Sequence, residues 1–285
     1  MPELPEVETV RRRLEPLLTG RTLDEVAIDD WRLVRPHDPV EVAAELRGEC
    51  VASVGRRGKY LLLGFESGRT LLVHLRMTGS FSSTPSEASH VRAVLSLDDG
   101  TDVGYRDVRR FGTWLLLEPG ELDGYLAERV GEEPLLPAFT SRRLADRLAG
   151  RRAPVKSALL DQRTLAGLGN IYVDETLWRA RIHPLRPARE LDANELRRLH
   201  RAIRASLEAG LERQGATLRD YALPDGSYGG AQDEFKAYGR EGEPCDRCGT
   251  PIEKIRLGGR GTWFCPRCQP LANEREARSR TGPLD

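Results

Sequence analysis

CDRCGTPIEKIRLGGRGTWFCPRC, residues 245–268, carries two Cys-x-x-Cys knuckles, Cys245/Cys248 and Cys265/Cys268, with sixteen residues between them. That spacing suits four thiolates around one tetrahedral zinc ion. A module this small buries little apolar surface, so the metal would supply its folding free energy. Four cysteines leave no open coordination position, which makes the expected Zn2+ structural and not catalytic. The rival reading, a redox dithiol, accounts for only one of the two pairs. Arg260, flanked by Gly259 and Gly261, falls at the tip of the expected β-hairpin. There it either meets phosphate or is simply solvated. The fifth cysteine, Cys50, reads as a small core residue.

Moving towards the N-terminus, residues 218–238 are rich in Gly, Asp and Tyr and read as a long loop, of the kind that is usually functional or disordered. From Pro119 to about 215 the pattern is helical. Asp192 with Glu195 three residues on has the form of a capping box. Within this region KSALLDQRTLAGLGNIYVDE (156–175) places Gly167 and Gly169 between two helices, with Asn170 as an expected N-cap. A helix start approached over glycines can hold phosphate, but taken alone it reads first as an ordinary corner in the core. Residues 139–163 hold seven basic and two acidic side chains, a local positive patch that favours the first reading. Residues 21–118 have a different texture: YLLLGF, TLLVHL, VRAVLSL and TWLLLE are short apolar runs, and SLDDGTDVGY carries an Asp-Gly hairpin signal. This part predicts an antiparallel sandwich or barrel with a helix at 39–47. Val7, Val10, Leu14 and Leu17 recur at helical spacing and predict a helix over 6–18. Residues 271–285 read as a disordered tail.

The whole chain has 285 residues, 39% hydrophobic and 31% charged, long enough for two domains and without the apolar run of about 18 residues that a membrane-spanning helix needs. The opening residues lack the apolar centre of a signal peptide, which argues against secretion by that route. Forty-four basic and forty-four acidic residues cancel, so bulk charge gives no support to a nucleic-acid partner.

Pro2 follows Met1, and removal of the initiator before a small residue would expose a secondary amine. A free α-amino group has a pKa near 8, so roughly a tenth is neutral at pH 7, and a helix N-terminus disfavours the cation further. Such an amine can attack an aldehyde carbon and form a Schiff base. Glu3, next to it, could move protons. Spacing alone favours the plainer view that Pro2-Glu3 merely begins a helix.

MPELPEVET (1–9), RRGKYLLL (56–63), HLRMTG (74–79), DVRRFG (107–112), LLDQRTLAGLGNIYVDE (159–175) and the closing GTWFCPRCQP (261–270) together resemble the formamidopyrimidine-DNA glycosylases, base-excision repair enzymes, in the same order and across almost all of residues 1–270. The resemblance implies an α+β fold: an N-terminal β-sandwich with flanking helices (1–134), a helix–two-turn–helix domain (135–225) and a zinc-finger β-hairpin (240–270). Damaged double-stranded DNA would lie in the cleft between the domains, and the enzyme would act as a cytoplasmic, nucleoid-associated monomer. It further implies that Pro2 attacks C1′ of the damaged nucleotide, that Glu3 is the general acid/base and that Glu6 shapes the pocket. Lys59 would hold phosphate beside the lesion, with His74, Asn170 and Arg260 adding phosphate contacts. Met77, Arg109 and Phe111 would fill the gap left by the flipped base; without the resemblance Met77 and Phe111 read as core residues and Arg110 as a solvated charge. A Schiff base would then drive β,δ-elimination, making the enzyme a glycosylase and an AP lyase.

One departure stands out. The loop that grips oxidised purine in the family corresponds here to LRDYALPDGSYGGAQDEFKAYGR, where Gly230 and Ala231 precede Gln232 in place of an aromatic. The main alternative is the sister type, endonuclease VIII-like, which prefers oxidised pyrimidines and typically starts PEGPE; Leu4 stands at its glycine. A catalytically silent zinc-ribbon DNA-binding protein is the other, and it would be favoured by loss of Pro2, Glu3 or Lys59, all of which are present.

Overall fold

The computed structural model describes residues 1–217 and 223–271. The tail expected at 271–285 thus lies outside the described residues but for Leu271, as do residues 218–222 of the expected loop. The contacts divide the chain into two units. Unit 1 comprises 1–129 and 210–232; unit 2 comprises 130–209 and the remainder from 233.

Unit 1 begins with helix α1 (Leu4–Leu18), whose apolar stripe of Leu4, Val7, Val10, Leu14 and Leu18 is fully buried. Strand β1 (Leu23–Ile28) and helix α2 (Pro39–Leu46) follow. Then come β2 (Val51–Arg57), β3 (Tyr60–Phe65), β4 (Thr70–His74), β5 (Gly79–Ser82), β6 (Val91–Leu97), β7 (Asp102–Asp107), β8 (Thr113–Leu117) and helix α3 (Glu121–Ala127). The strands form two antiparallel four-stranded sheets, ordered β1-β6-β7-β5 and β2-β3-β4-β8. Their alternating inward residues, among them Val54, Leu61, Leu63, Phe81, Leu95 and Tyr105, share one core with α1, as a two-layer sandwich requires. The Asp-Gly signal in SLDDGTDVGY is the β6–β7 turn, with Gly100 at φ 81°. Cys50 is only half-buried, beside Thr22, and not a core residue.

Residues 210–232 return the chain to this unit. Leu223 joins its core, Arg13 pairs with Asp225 at 3.0 Å, and the Ser83 N–H donates to the Pro224 carbonyl at 2.9 Å.

Unit 2 holds helices α4 (Ser141–Leu148), α5 (Val155–Leu160) and α6 (Asn170–Ala180), most of α7 (Ala193–Glu212), and the hairpin of β9 (Glu253–Leu257) and β10 (Arg260–Phe264). Asp192 and Glu195 exchange side-chain-to-backbone bonds of 2.8 and 3.1 Å, the capping box that starts α7. Among the described residues no helix is long and apolar enough to cross a membrane.

Candidate nucleic-acid and amine site

In unit 1 the start of α1 is buried. Pro2, Glu3 and Glu6 have almost no exposed surface. Glu3 is the N-cap, and Glu6, three residues on, accepts the Glu3 N–H at 2.7 Å, closing a capping box with the acidic residue in place of the usual hydroxyl. The other oxygen of Glu6 accepts the Ala216 N–H at 2.7 Å. Gly215 makes this approach feasible: it sits at φ +80°, and a Cβ there would lie 2.8 Å from Glu6 Cγ. The terminal amine, on Met1, is held below its usual pKa, first by burial; Glu3 and Glu6 oppose this while Lys59 and Arg109 reinforce it. These four side chains therefore act on one amine at the mouth of the helix.

Lys59 occupies the two-residue β2–β3 connection, where Gly58 supplies φ 57°. It is 5% exposed. The sheet register places Tyr60 opposite His74, and their rings meet edge to face at 4.9 Å. Burial, then the charges of Arg76 and Lys59, pushes the His74 pKa down to about 3. Its Nδ1 accepts the Arg76 N–H at 2.9 Å, so the neutral ring carries its proton on Nε2 and can donate there.

Met77 and Phe111 lie on neighbouring loops, β4–β5 and β7–β8, and are 37% and 49% exposed. Neither is a core residue. The Arg109 guanidinium rests 4.8 Å from the Phe111 ring centroid. One buried carboxylate, Asp107, organises both loops: it accepts from the Thr78 hydroxyl at 2.5 Å, from the Arg109 N–H at 3.2 Å and from the Gly112 N–H at 2.7 Å. Thr78 in turn accepts the Arg109 N–H at 3.0 Å. Arg76 and Arg110 take left-handed backbone, φ 54° and 59°, a strained geometry for arginine that clusters at functional loops. Arg110 is not a lone solvated charge; it pairs with Asp30 and lowers that carboxyl's pKa. Asp107 and Thr78 escape a reading of the sequence, although DVRRFG and HLRMTG contain them.

In unit 2 the glycine corner is cross-braced by Gln162. Its amide donates to the carbonyls of Leu160 and Leu168 and accepts the Gly167 N–H, with Gly167 at φ 86°. The N-cap of α6 is Gly169, so Asn170 is the first helical residue and not the expected cap. Its amide instead donates to the Gly261 carbonyl at 3.0 Å. The fully buried Lys156 donates to the same carbonyl at 3.0 Å and pairs with Asp174 at 2.7 Å, while Asp174 accepts the Trp263 N–H at 3.1 Å. Burial raises the Asp174 pKa to about 7 against the pull of Lys156. These side chains seat β10 against the helix corner and so hold the hairpin close to its turn. Its turn, Gly258-Gly259, has positive φ at both residues, the type I′ form, and Arg260 stands exposed beside it.

The four sulfurs of Cys245, Cys248, Cys265 and Cys268 lie within 4.8 Å of one another, with close pairs at 3.4, 3.5 and 4.0 Å. Tetrahedral zinc with Zn–S bonds of about 2.3 Å requires sulfurs roughly 3.8 Å apart. The donor set fits one structural Zn2+, and Ile252, Trp178 and Trp263 supply the small apolar shell around it.

Residues 1–114 match the family described as "Formamidopyrimidine-DNA glycosylase N-terminal domain", residues 130–222 its "H2TH domain", and residues 242–271 the "Zinc finger found in FPG and IleRS". A formamidopyrimidine-DNA glycosylase of Roseiflexus sp. (strain RS-1) is 48% identical over 94% of this chain and 100% of its own. The crystal structure of MutM (Fpg) from Thermus thermophilus superposes with a TM-score of 0.85 at 46% identity, covering 94% of this chain and 98% of that one. A Lactococcus lactis Fpg mutant in complex with Fapy-dG-containing DNA gives 0.88 at 36% identity, covering 95% and 100%.

Proposed function

Since this chain belongs to the formamidopyrimidine-DNA glycosylase family, we propose that it binds damaged duplex DNA, excises oxidised purines through a Pro2 Schiff base and then cleaves the strand as an AP lyase. The relative bound to Fapy-dG-containing DNA supports the substrate class. The observation that carries the chemistry is the buried amine end of α1, reached by the charges of Glu3, Glu6, Lys59 and Arg109.

The target carbon is inaccessible in a stacked duplex, so the nucleotide must be flipped out at a cost of a few kcal/mol. Exposed Met77 and Phe111 replace the lost stacking, and Arg109, stacked on Phe111, donates to the orphaned base. Lys59 and neutral His74 hold backbone phosphate, the first by charge and the second by its Nε2–H. Once Met1 is removed, the Pro2 nitrogen attacks C1′ and the base departs; burial of the amine end enlarges the fraction that has a lone pair. Glu3 relays the protons that opening of the sugar and elimination require. Glu6 holds the helix start and the Ala216 segment as walls of the pocket. Asn170 and Arg260 extend the phosphate contacts in unit 2. When bound, zinc supplies the fold of the Arg260 hairpin and takes no part in the reaction, because four cysteines close its shell. The protein would do this as a monomer in the bacterial cytoplasm, close to the nucleoid.

Borohydride reduction of protein lacking Met1 in the presence of an 8-oxoguanine·C duplex is expected to give a covalent protein–DNA adduct. Pro2→Gly should abolish the adduct while duplex binding persists. No adduct with any damaged duplex would overturn the proposal, and efficient trapping only with oxidised pyrimidines would reassign the substrate.

A further inference from the structure

A cavity of about 760 Å³ in unit 2 is lined by five arginines, Arg179, Arg181, Arg198, Arg247 and Arg267, together with one edge of the cysteine cluster, and by no carboxylate among the described residues. None of the steps above uses it. Asn170 begins α6 and Arg179 lies nine residues on, about 14 Å along a helix. Arg260 begins β10 and the knuckle at Cys265 lies five residues on, about 16 Å along a strand. The cavity is therefore at the far end of both elements from the proposed phosphate contacts.

Part of this charge has a structural reason. A zinc ion with four thiolates carries about −2, and the C-terminus of a helix about −0.5. Arg247 donates to the carbonyls of Trp178 and Arg179 at 2.6 and 3.3 Å, and its guanidinium lies 3.6 Å from the Trp178 ring centroid. Arg198 donates to the Ala180 carbonyl at 3.3 Å. These partners orient the guanidiniums without neutralising them. The buried Nε–H of Arg179 donates to no acceptor among the described residues. Glu175 and Asp192, whose charges reach Arg179 and Arg198, do not line the cavity.

We propose that this arginine-lined cavity is a second anion site, built to take closely spaced phosphate groups, whether of a free oligophosphate or of a nucleic-acid backbone. Guanidinium forks match phosphate oxygens in pairs, and the cavity has the volume of a small-molecule site. The inference does not depend on the lesion chemistry.

The test is calorimetric titration of the zinc-loaded full chain with inorganic tripolyphosphate. One-to-one uptake is expected, unchanged by Arg260→Ala and weakened at least tenfold by Arg179→Gln with Arg198→Gln, while lesion excision stays at the wild-type rate. Arg179→Lys with Arg198→Lys keeps the charge and loses the forks; it should also weaken uptake, by less, and it serves if the glutamine pair fails to retain zinc. Displacement of tripolyphosphate from Arg260→Ala protein by an undamaged duplex identifies a backbone as the source, and displacement by a nucleoside triphosphate a free ligand. Absence of saturable uptake, or uptake lost in Arg260→Ala and retained in both double variants, overturns the proposal.

Discussion

Asp107→Asn isolates the device that holds the side chains proposed to fill the gap. The carboxylate is 1% exposed and accepts from three donors on two loops, Thr78, Arg109 and Gly112. Asparagine keeps the shape and one oxygen. If that oxygen serves Thr78 and Arg109, the new NH2 group faces the Gly112 N–H, donor against donor. Flipping the amide gives the Gly112 N–H its acceptor but turns the NH2 group onto the Thr78 and Arg109 donors instead. A buried N–H left without an acceptor costs about 1–3 kcal/mol. At about 1.4 kcal/mol per factor of ten, the ordered loop pair loses roughly five- to hundredfold in population. Unit 1 should melt lower by about 2–4 °C for each kcal/mol lost. In the proposed mechanism these loops fill the gap left by the flipped base, so single-turnover excision of 8-oxoguanine opposite cytosine should fall within that range. Cleavage of a preformed abasic site in a single strand should change by less than twofold. Equal loss on both substrates, or wild-type values for both excision and melting, would refute the reasoning.

His74 makes a pH prediction. Its folded pKa, about 3, lies below the unfolded value of about 6.5, so the unfolded chain binds the extra proton between them. Stability is intact above pH 6.5 and falls as pH drops towards 3, by up to about 1.4 kcal/mol per unit; urea denaturation at pH 6.5 and 4.5 should show a loss about 2 kcal/mol larger in wild type than in His74→Gln. Gly215→Ala combines a left-handed residue with a Cβ 2.8 Å from Glu6 Cγ, and should cost at least about 2 kcal/mol in the same assay. Zinc removal with a chelator should unfold the hairpin, read from Trp263 fluorescence, and weaken duplex binding while the far-ultraviolet signal of the helices persists. Arg260→Ala should weaken binding to all duplexes alike and reduce the salt slope by about one; a sequence-selective loss would exclude a phosphate contact.

The sequence discloses best what local chemistry dictates. Two knuckles sixteen residues apart announce a metal fold because four thiolates tolerate few spacings, and the Asp-Gly turn and the Asp192–Glu195 box are likewise complete within a few residues. What escapes involves partners distant along the chain. Asn170 looks like a cap, but its amide is drawn to Gly261, ninety-one residues on, and Gly169 takes the capping position. Met77 and Phe111 read as core by composition; their exposure follows from loops that Asp107 braces, a contact network no periodicity encodes. Nor does the helical pattern through 215 reveal that Ala216 donates to Glu6, 210 residues earlier.

That last bond bears on synthesis. Glu6 emerges from the ribosome near the beginning, but its second donor belongs to a segment translated only after residues 130–209. A nascent N-terminal portion can collapse its two sheets, since every strand pair there is already present, yet Glu6 still lacks its bond from Ala216. The start of α1 is therefore completed only after the whole intervening segment of unit 2 has been made.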